Sequence, residues 1–106
     1  MPTTLGLIEK VKINGKEVLA KIDTGADLCS IDKKLAKELD LNNFVKTAKI
    51  KSSHGKTIRP VVEAELEIKD EKIKTHFNLA DRSQLKYPVL IGKSVLKKGF
   101  IIDPSK

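Results

Sequence analysis

The sequence predicts an all-β protein with one short helix and one projecting hairpin. Three observations carry that prediction. Apolar residues alternate with charged ones over several short stretches, turn-forming residues such as Asn14-Gly15 separate those stretches, and only one segment has clear helical spacing. With 106 residues the chain reads as a single domain, residues 1–106, around one core. Hydrophobic residues make up 40% but aromatics only 4%, so that core must be mostly Val, Ile, Leu and Ala. A small aliphatic core is marginal alone, and a partner chain would add buried area.

The elements follow in chain order. Val11 and Ile13 alternate with lysines ahead of Asn14-Gly15, and Val18, Ala20 and Ile22 alternate after it. This pattern predicts a β-hairpin, because Asn-Gly accepts the positive φ angles of a tight type I′ turn. The second strand runs directly into Asp23-Thr24-Gly25-Ala26, which places those residues on a loop at a strand end. Between Asp32 and Leu41, Leu35, Ala36 and Leu39 fall at helical spacing, with Asp32 able to cap and Lys33, Lys34, Lys37 and Glu38 facing water. Lys46 to Val62 can extend on either side of the turn cluster Ser52-Ser53-His54-Gly55. The polarity of this second hairpin makes it project from the core.

Strict alternation returns in Val62, Ala64, Leu66 and Ile68 and again in Ile73, Thr75, Phe77 and Leu79, with Asp70-Glu71 between the runs. Glu63, Glu65 and Glu67 on the first strand match Lys72, Lys74 and His76 on the second, as an antiparallel pair would arrange them. Tyr87-Pro88-Val89-Leu90-Ile91-Gly92 is a buried apolar run, followed by a helical turn at Ser94 to Lys97 and a last strand around Phe100-Ile101-Ile102.

The net charge of +7 belongs entirely to residues 41–106, which hold fourteen basic and seven acidic side chains against seven of each in residues 1–40. Lys46, Lys49, Lys51, Lys56 and Arg59 are separated by no acidic residue, a field suited to acidic peptides or nucleic acid, or simply a solvated surface. Scarce aromatics count against nucleic acid, since single-strand binders stack bases on them. No stretch approaches the roughly 18 apolar residues of a membrane span. Met1-Pro2-Thr3-Thr4 does not open an export signal, and the lone Cys29 suits a reducing compartment. A cytoplasmic location without membrane contact is expected.

Alone, Asp-Thr-Gly-Ala is ordinary turn chemistry. Here it follows a hydrophobic strand, precedes a helix, and is joined downstream by the apolar-apolar-Gly triplet Leu90-Ile91-Gly92. In these residues the chain resembles the retropepsin-like aspartic proteases, single-lobe relatives of pepsin, over nearly its whole length. The resemblance implies a retropepsin-like closed barrel with Asp23 as the catalytic aspartate. It also implies Thr24, Gly25, Ala26 and Asp27 as the active-site and substrate-binding loop, and Ser53, His54, Gly55 and Lys56 as the flap. Leu90, Ile91 and Gly92 would be a structural triplet behind the loop. The run from Tyr87 to Lys93 is most similar to a prokaryotic branch often labelled "ATP-dependent zinc protease". In bacteria that branch is associated with the enzyme that adds glutamates to a ribosomal protein's C-terminus, which implies a functional link to a glutamate-adding ligase.

Hydrolysing an amide without a metal or a nucleophilic side chain requires one group to take a proton from water and another to give one to the carbonyl. Two adjacent carboxylates do both, because like charges so close hold one proton between them. A chain with one Asp-Thr-Gly, too short for an internal duplicate, must borrow the second carboxylate across a two-fold axis, so a homodimer is expected. Thr24 would link the two loops through its hydroxyl, and Gly25 would let the backbone approach substrate. Asp27 would bind substrate backbone or pair with Lys93, where the family more often has Arg.

Plainer readings stand beside these. Asp23 can be a turn aspartate accepting backbone N–H groups, and Cys29 reads as a small buried hydrophobe. His76 falls on the outward phase of a strand and His54 on a turn, with no H-E-x-x-H or C-x-x-C pattern, so no metal is expected. No phosphate-binding G-x-x-x-x-G-K-[ST] loop exists to explain ATP dependence, and no cofactor is expected. The sequence therefore reads as a homodimeric aspartic endopeptidase. Lys49, Lys51, Lys56 and Arg59 along the flap would favour acidic, Glu-rich tails. The alternative is a non-catalytic dimeric peptide-binding or adaptor domain of the same fold.

Overall fold

The computed structural model describes residues 2–52 and 55–106. Its elements are Thr3–Leu5 (β1), Ile8–Ile13 (β2), Lys16–Ile22 (β3), Cys29–Asp32 (β4), Lys33–Glu38 (α1), Phe44–Ser52 (β5), Gly55–Ile68 (β6), Glu71–Ala80 (β7), Val89–Ile91 (β8), Lys93–Leu96 (α2) and Phe100–Ile102 (β9). The first hairpin forms as the Asn-Gly pair requires: Asn14 and Gly15 hold φ angles of 47° and 85°, and β2 pairs antiparallel with β3 in the register Val11↔Val18.

Strands β2, β3, β8, β4, β7 and β6 pair in that order, and β6 returns to β2 through Lys12↔Glu67 and Ile13↔Leu66. The sheet is thereby a closed, mixed barrel, with parallel β3–β8 and β4–β7 contacts among antiparallel ones. Val62, Ala64, Leu66 and Ile68 point inward, against Phe77 and the aliphatic residues of the other strands. The charge ladder follows from that phase, with Glu63↔His76, Glu65↔Lys74 and Glu67↔Lys72 as cross-strand partners. The turn between these strands is Lys69-Asp70, at φ 49° and 68°, one residue earlier than the Asp70-Glu71 pair suggests. The β6–β7 register sets that position, at the expense of two left-handed residues that are not glycine.

Asp32 caps α1, its Oδ2 accepting from the backbone N–H groups of Lys34 and Leu35 at 3.2 and 3.4 Å. The single expected helix is accompanied by the helical turn α2, which starts at Lys93 instead of Ser94. Beyond the barrel, β1 and β9 form a separate parallel pair, Thr3↔Phe100 to Leu5↔Ile102.

β6 outruns the barrel. Its first residues pair with β5 alone, from Ser52↔Gly55 to Thr47↔Pro60, so this hairpin projects as the polarity predicts. Of the four residues expected to make the flap, Ser53 and His54 lie outside the described residues, while Gly55 and Lys56 begin β6. Among the described residues, no helix is long and apolar enough to cross a membrane.

Candidate active site

The barrel pins Asp23 at the end of β3. Ile22 N–H donates to Leu7 O at 2.8 Å, and Asp23 N–H donates to Ile91 O at 2.9 Å, extending the β3–β8 ladder by one bond. The chain then turns sharply: Gly25 N–H donates to Asp23 Oδ1 at 2.8 Å and Ala26 N–H to Asp23 O at 3.3 Å. The turn-aspartate bond is thus present, and it occupies one carboxylate oxygen. The side chain remains half-buried, beside the exposed Thr24 and Gly25.

The loop is held from behind by the segment that follows β8. Lys93 N–H donates to Ala26 O at 2.8 Å and Ser94 N–H to Asp27 O at 3.0 Å. Gly92 makes this approach possible. A Cβ there would lie 2.5 Å from Leu28 O and 2.8 Å from Ala26 O, so any side chain would push the loop outward. Gly92 N–H also faces Cys29 Sγ at 3.5 Å, and Ser94 Oγ lies 3.8 Å from the same sulfur. Burial pushes the Cys29 thiol above its ordinary pKa, and these two hydrogen bonds only partly oppose it. Lys93 Nζ reaches Asp27 Oδ1 at 3.0 Å, the ion pair that was one of two readings for Asp27.

Opposite the loop, the projecting hairpin forms the other wall of a cleft of about 480 Å³. Asp23, Gly25, Ala26, Asp27 and Leu28 line one side, Ser30, Asn78 and Leu90 the floor, and Lys49, Ile50, Lys51 and Arg59 the hairpin side. Lys56 does not line it, and Ile91 is buried in the barrel. Among the described residues no group of three His, Cys, Asp or Glu could hold a metal ion. His76 sits on the outer barrel face, its Nε2 3.3 Å from Glu63 Oε2.

Three polar residues of the cleft, Ser30, Asn78 and Arg82, escaped the sequence reading. Asn78, 3% exposed, accepts at Oδ1 from Ser30 Oγ at 3.0 Å and from Arg59 Nη1 at 3.1 Å, and donates through Nδ2 to Cys29 O at 2.9 Å. Arg82 enters from the segment after β7, its backbone N–H on Asp32 Oδ1 at 2.8 Å and its Nε on Tyr87 O at 3.0 Å. One signal was available: Arg59 and Arg82 are the chain's two arginines, among nineteen lysines, and both line the cleft. Burial, and then the charge of Arg59, hold the Arg82 guanidinium below the ordinary arginine pKa, while Asp23 and Asp32 oppose this.

Residues 32–106 match a family model described as RimB-like, "Retropepsin-like aspartic endopeptidase RimB". The match takes in the hairpin and the Leu90-Ile91-Gly92 segment and begins after the Asp23 loop. A search of curated protein sequences returned no match. Among solved structures, a Legionella pneumophila protein of unknown function (DUF785) superposes with a TM-score of 0.70 at 20% identity, covering 98% of this chain and 95% of that one. The EIAV protease complexed with the inhibitor HBY-793 gives 0.69 at 20% identity, with 85% and 84% covered. The simian foamy virus (mac) protease gives 0.64 at 19% identity, with 85% and 91% covered. At these identities the likeness establishes a shared fold.

Proposed function

The chain belongs to the RimB-like family of retropepsin-like aspartic endopeptidases, and we propose that it works as a homodimer in which Asp23 of each copy supplies one carboxylate of a water-activating pair. The observation that carries this reading is the placement of Asp23. It stands on a loop braced by barrel backbone bonds, beside exposed Thr24 and Gly25, at the edge of a cleft that the projecting hairpin overhangs. One chain presents one such carboxylate there, and a second copy facing it would supply the other.

With the pair assembled, the ionised carboxylate takes a proton from water as its oxygen attacks the peptide carbonyl, and the protonated carboxyl gives its proton to the carbonyl oxygen. The resulting diol collapses when a proton reaches the amide nitrogen, which leaves as an amine, and the pair again holds one proton. Lys49, Lys51, Arg59 and Arg82 make the cleft cationic, which favours acidic peptides. A ligase that builds glutamate tails would be the functional counterpart of such a peptidase, and a buried free thiol suits a reducing, cytoplasmic setting.

The Gly25 N–H bond to Asp23 favours a second reading, a peptide-binding module in which Asp23 only shapes the turn. The test is hydrolysis of Glu-rich peptides followed by mass spectrometry. Asp23→Asn preserves the turn bond and should lower the rate at least ~100-fold. A variant that cleaves at the original rate would refute the Asp23 pair, and a parent chain that binds these peptides without cleaving them would leave only the binding module.

A further inference from the structure

We propose that Arg59 and Arg82 together form a subsite for a single carboxylate of the bound peptide, set beside Asp23 in the cleft. This inference rests on the reading of the cleft as a peptide site, and it assigns selectivity to two residues distinct from the diffuse positive charge of the hairpin lysines.

The cleft gathers the chain's rarer cation. Nineteen of the chain's cations are lysines, yet both arginines converge on this one space. Arginine carries a planar fork of donors that fits a carboxylate at two points, which a lysine ammonium does not. Both arginine side chains are also anchored. Arg59 is held by Nη1 on Asn78 Oδ1 at 3.1 Å and Nε on Thr57 Oγ1 at 3.2 Å. Asn78 is itself fixed by Ser30 and by the Cys29 carbonyl. Arg82 spends Nε on the Tyr87 carbonyl at 3.0 Å. Both guanidinium groups are therefore oriented before any ligand arrives, which lowers the entropy cost of binding one.

Neither guanidinium forms an ion pair among the described residues, and both are partly buried. Arg59 and Arg82 repel each other strongly enough to weaken Arg82's hold on its proton, an effect second only to burial. The carboxylates that oppose this repulsion are engaged by backbone, Asp23 by Gly25 N–H and Asp32 by the N–H groups of Lys34 and Arg82. An anion placed between the two guanidinium groups would relieve that repulsion and satisfy donors that burial has partly stripped of water. Lys49 and Lys51 are exposed on the hairpin strand, so their attraction fades with salt. The arginine pair is shielded by the cleft and should discriminate under conditions that silence the lysines.

A carboxylate can come from a Glu side chain or from the peptide's C-terminus, and the test separates the two. Binding of labelled peptides to the Asp23→Asn protein is followed by fluorescence anisotropy, which needs no hydrolysis. Four peptides are compared, with Glu or Gln at the central position and a free or amidated C-terminus. The expected result is that one carboxylate strengthens binding by about 10-fold or more, the scale of a charge-assisted hydrogen bond, and that the ratio survives about 0.3 M salt. Whichever substitution abolishes the ratio identifies the source.

Adding Arg82→Gln should bring the ratio below about 3, and Arg82→Lys should recover only part of it. Arg59→Gln, on the projecting hairpin, gives the same test should Arg82→Gln fail to fold, which far-UV circular dichroism reveals. Equal weakening of acid and neutral peptides by these substitutions, or no ratio in the presence of both arginines, overturns the subsite. A clear ratio combined with no hydrolysis by the unsubstituted chain overturns the peptidase reading and leaves the subsite standing.

Discussion

Replacing Gly92 with Ala should damage this protein more than its size suggests. The added methyl would stand 2.5 Å from Leu28 O and 2.8 Å from both Ala26 O and the Leu28 carbonyl carbon, all backbone atoms. Ordinary contacts need about 3.5 Å, so the Asp23 loop would have to retreat by about an ångström. That retreat pulls on the bonds from Lys93 N–H to Ala26 O and from Ser94 N–H to Asp27 O. Overpacking costs about 1–3 kcal/mol and each weakened bond up to about 1 more, so the variant should lose about 3 kcal/mol. For a domain of this size the melting temperature should fall by about 12 °C.

Gly15→Ala is the comparator. Nothing lies within 4 Å of a Cβ there, and only the φ of 85° resists the change, for about 1 kcal/mol. Thermal unfolding of the three proteins at one concentration gives the comparison, since a dimer melts in a concentration-dependent way. Gly92→Ala within about 0.5 kcal/mol of the parent, or less costly than Gly15→Ala, would refute the claim that this close approach braces the loop.

Three further outcomes are expected. Cys29 should resist iodoacetamide at mildly alkaline pH until the protein unfolds, because its thiol is buried and its pKa raised. Since the folded pKa lies above the unfolded one, the thiol's contribution to stability is complete below about pH 8.5 and is lost as pH rises towards the folded value. Cys29→Ala should remove that part of the alkaline decline seen in denaturant titrations. Asn78→Ala strips partners from Ser30, Arg59 and the Cys29 carbonyl and should cost about 3 kcal/mol in urea unfolding. A loss under about 1 kcal/mol would mean the network does not brace the floor. Lys93→Ala should change stability by no more than about 0.5 kcal/mol, because the Asp27–Lys93 pair is exposed and the loop hangs on backbone bonds. A loss above about 1.5 kcal/mol would reverse that ranking.

The parts legible in the sequence are those governed by local rules. Asn14-Gly15 specifies its turn through φ alone, Asp32 announces a cap, and the Glu63–Glu67 and Lys72–His76 series fix a register because one face of each strand is buried. The missed strands lack such rules. β4 is buried along nearly its whole length between β7 and β8, so Cys29–Asp32 shows no alternation. β1 is three residues paired with β9, at the other end of the chain.

The cleft was half legible for the same reason. Asp23 and Leu90-Ile91-Gly92 stand out as contiguous motifs, whereas Asn78 sits on a nominally outward position of β7 that is buried among Ser30, Arg59 and the Cys29 carbonyl. Arg82 reaches the cleft through a segment without regular structure. Periodicity has no means of placing it.

In the proposed dimer Asp23 is half of a site completed by a second copy. The most direct measurement is the separation of the two Asp23 carboxyl groups in a crystal structure of the dimer. Oxygens about 3 Å apart across the two-fold axis, close enough to share one proton, are expected. A dimer that buries other surfaces and leaves the two Asp23 side chains far apart would contradict this.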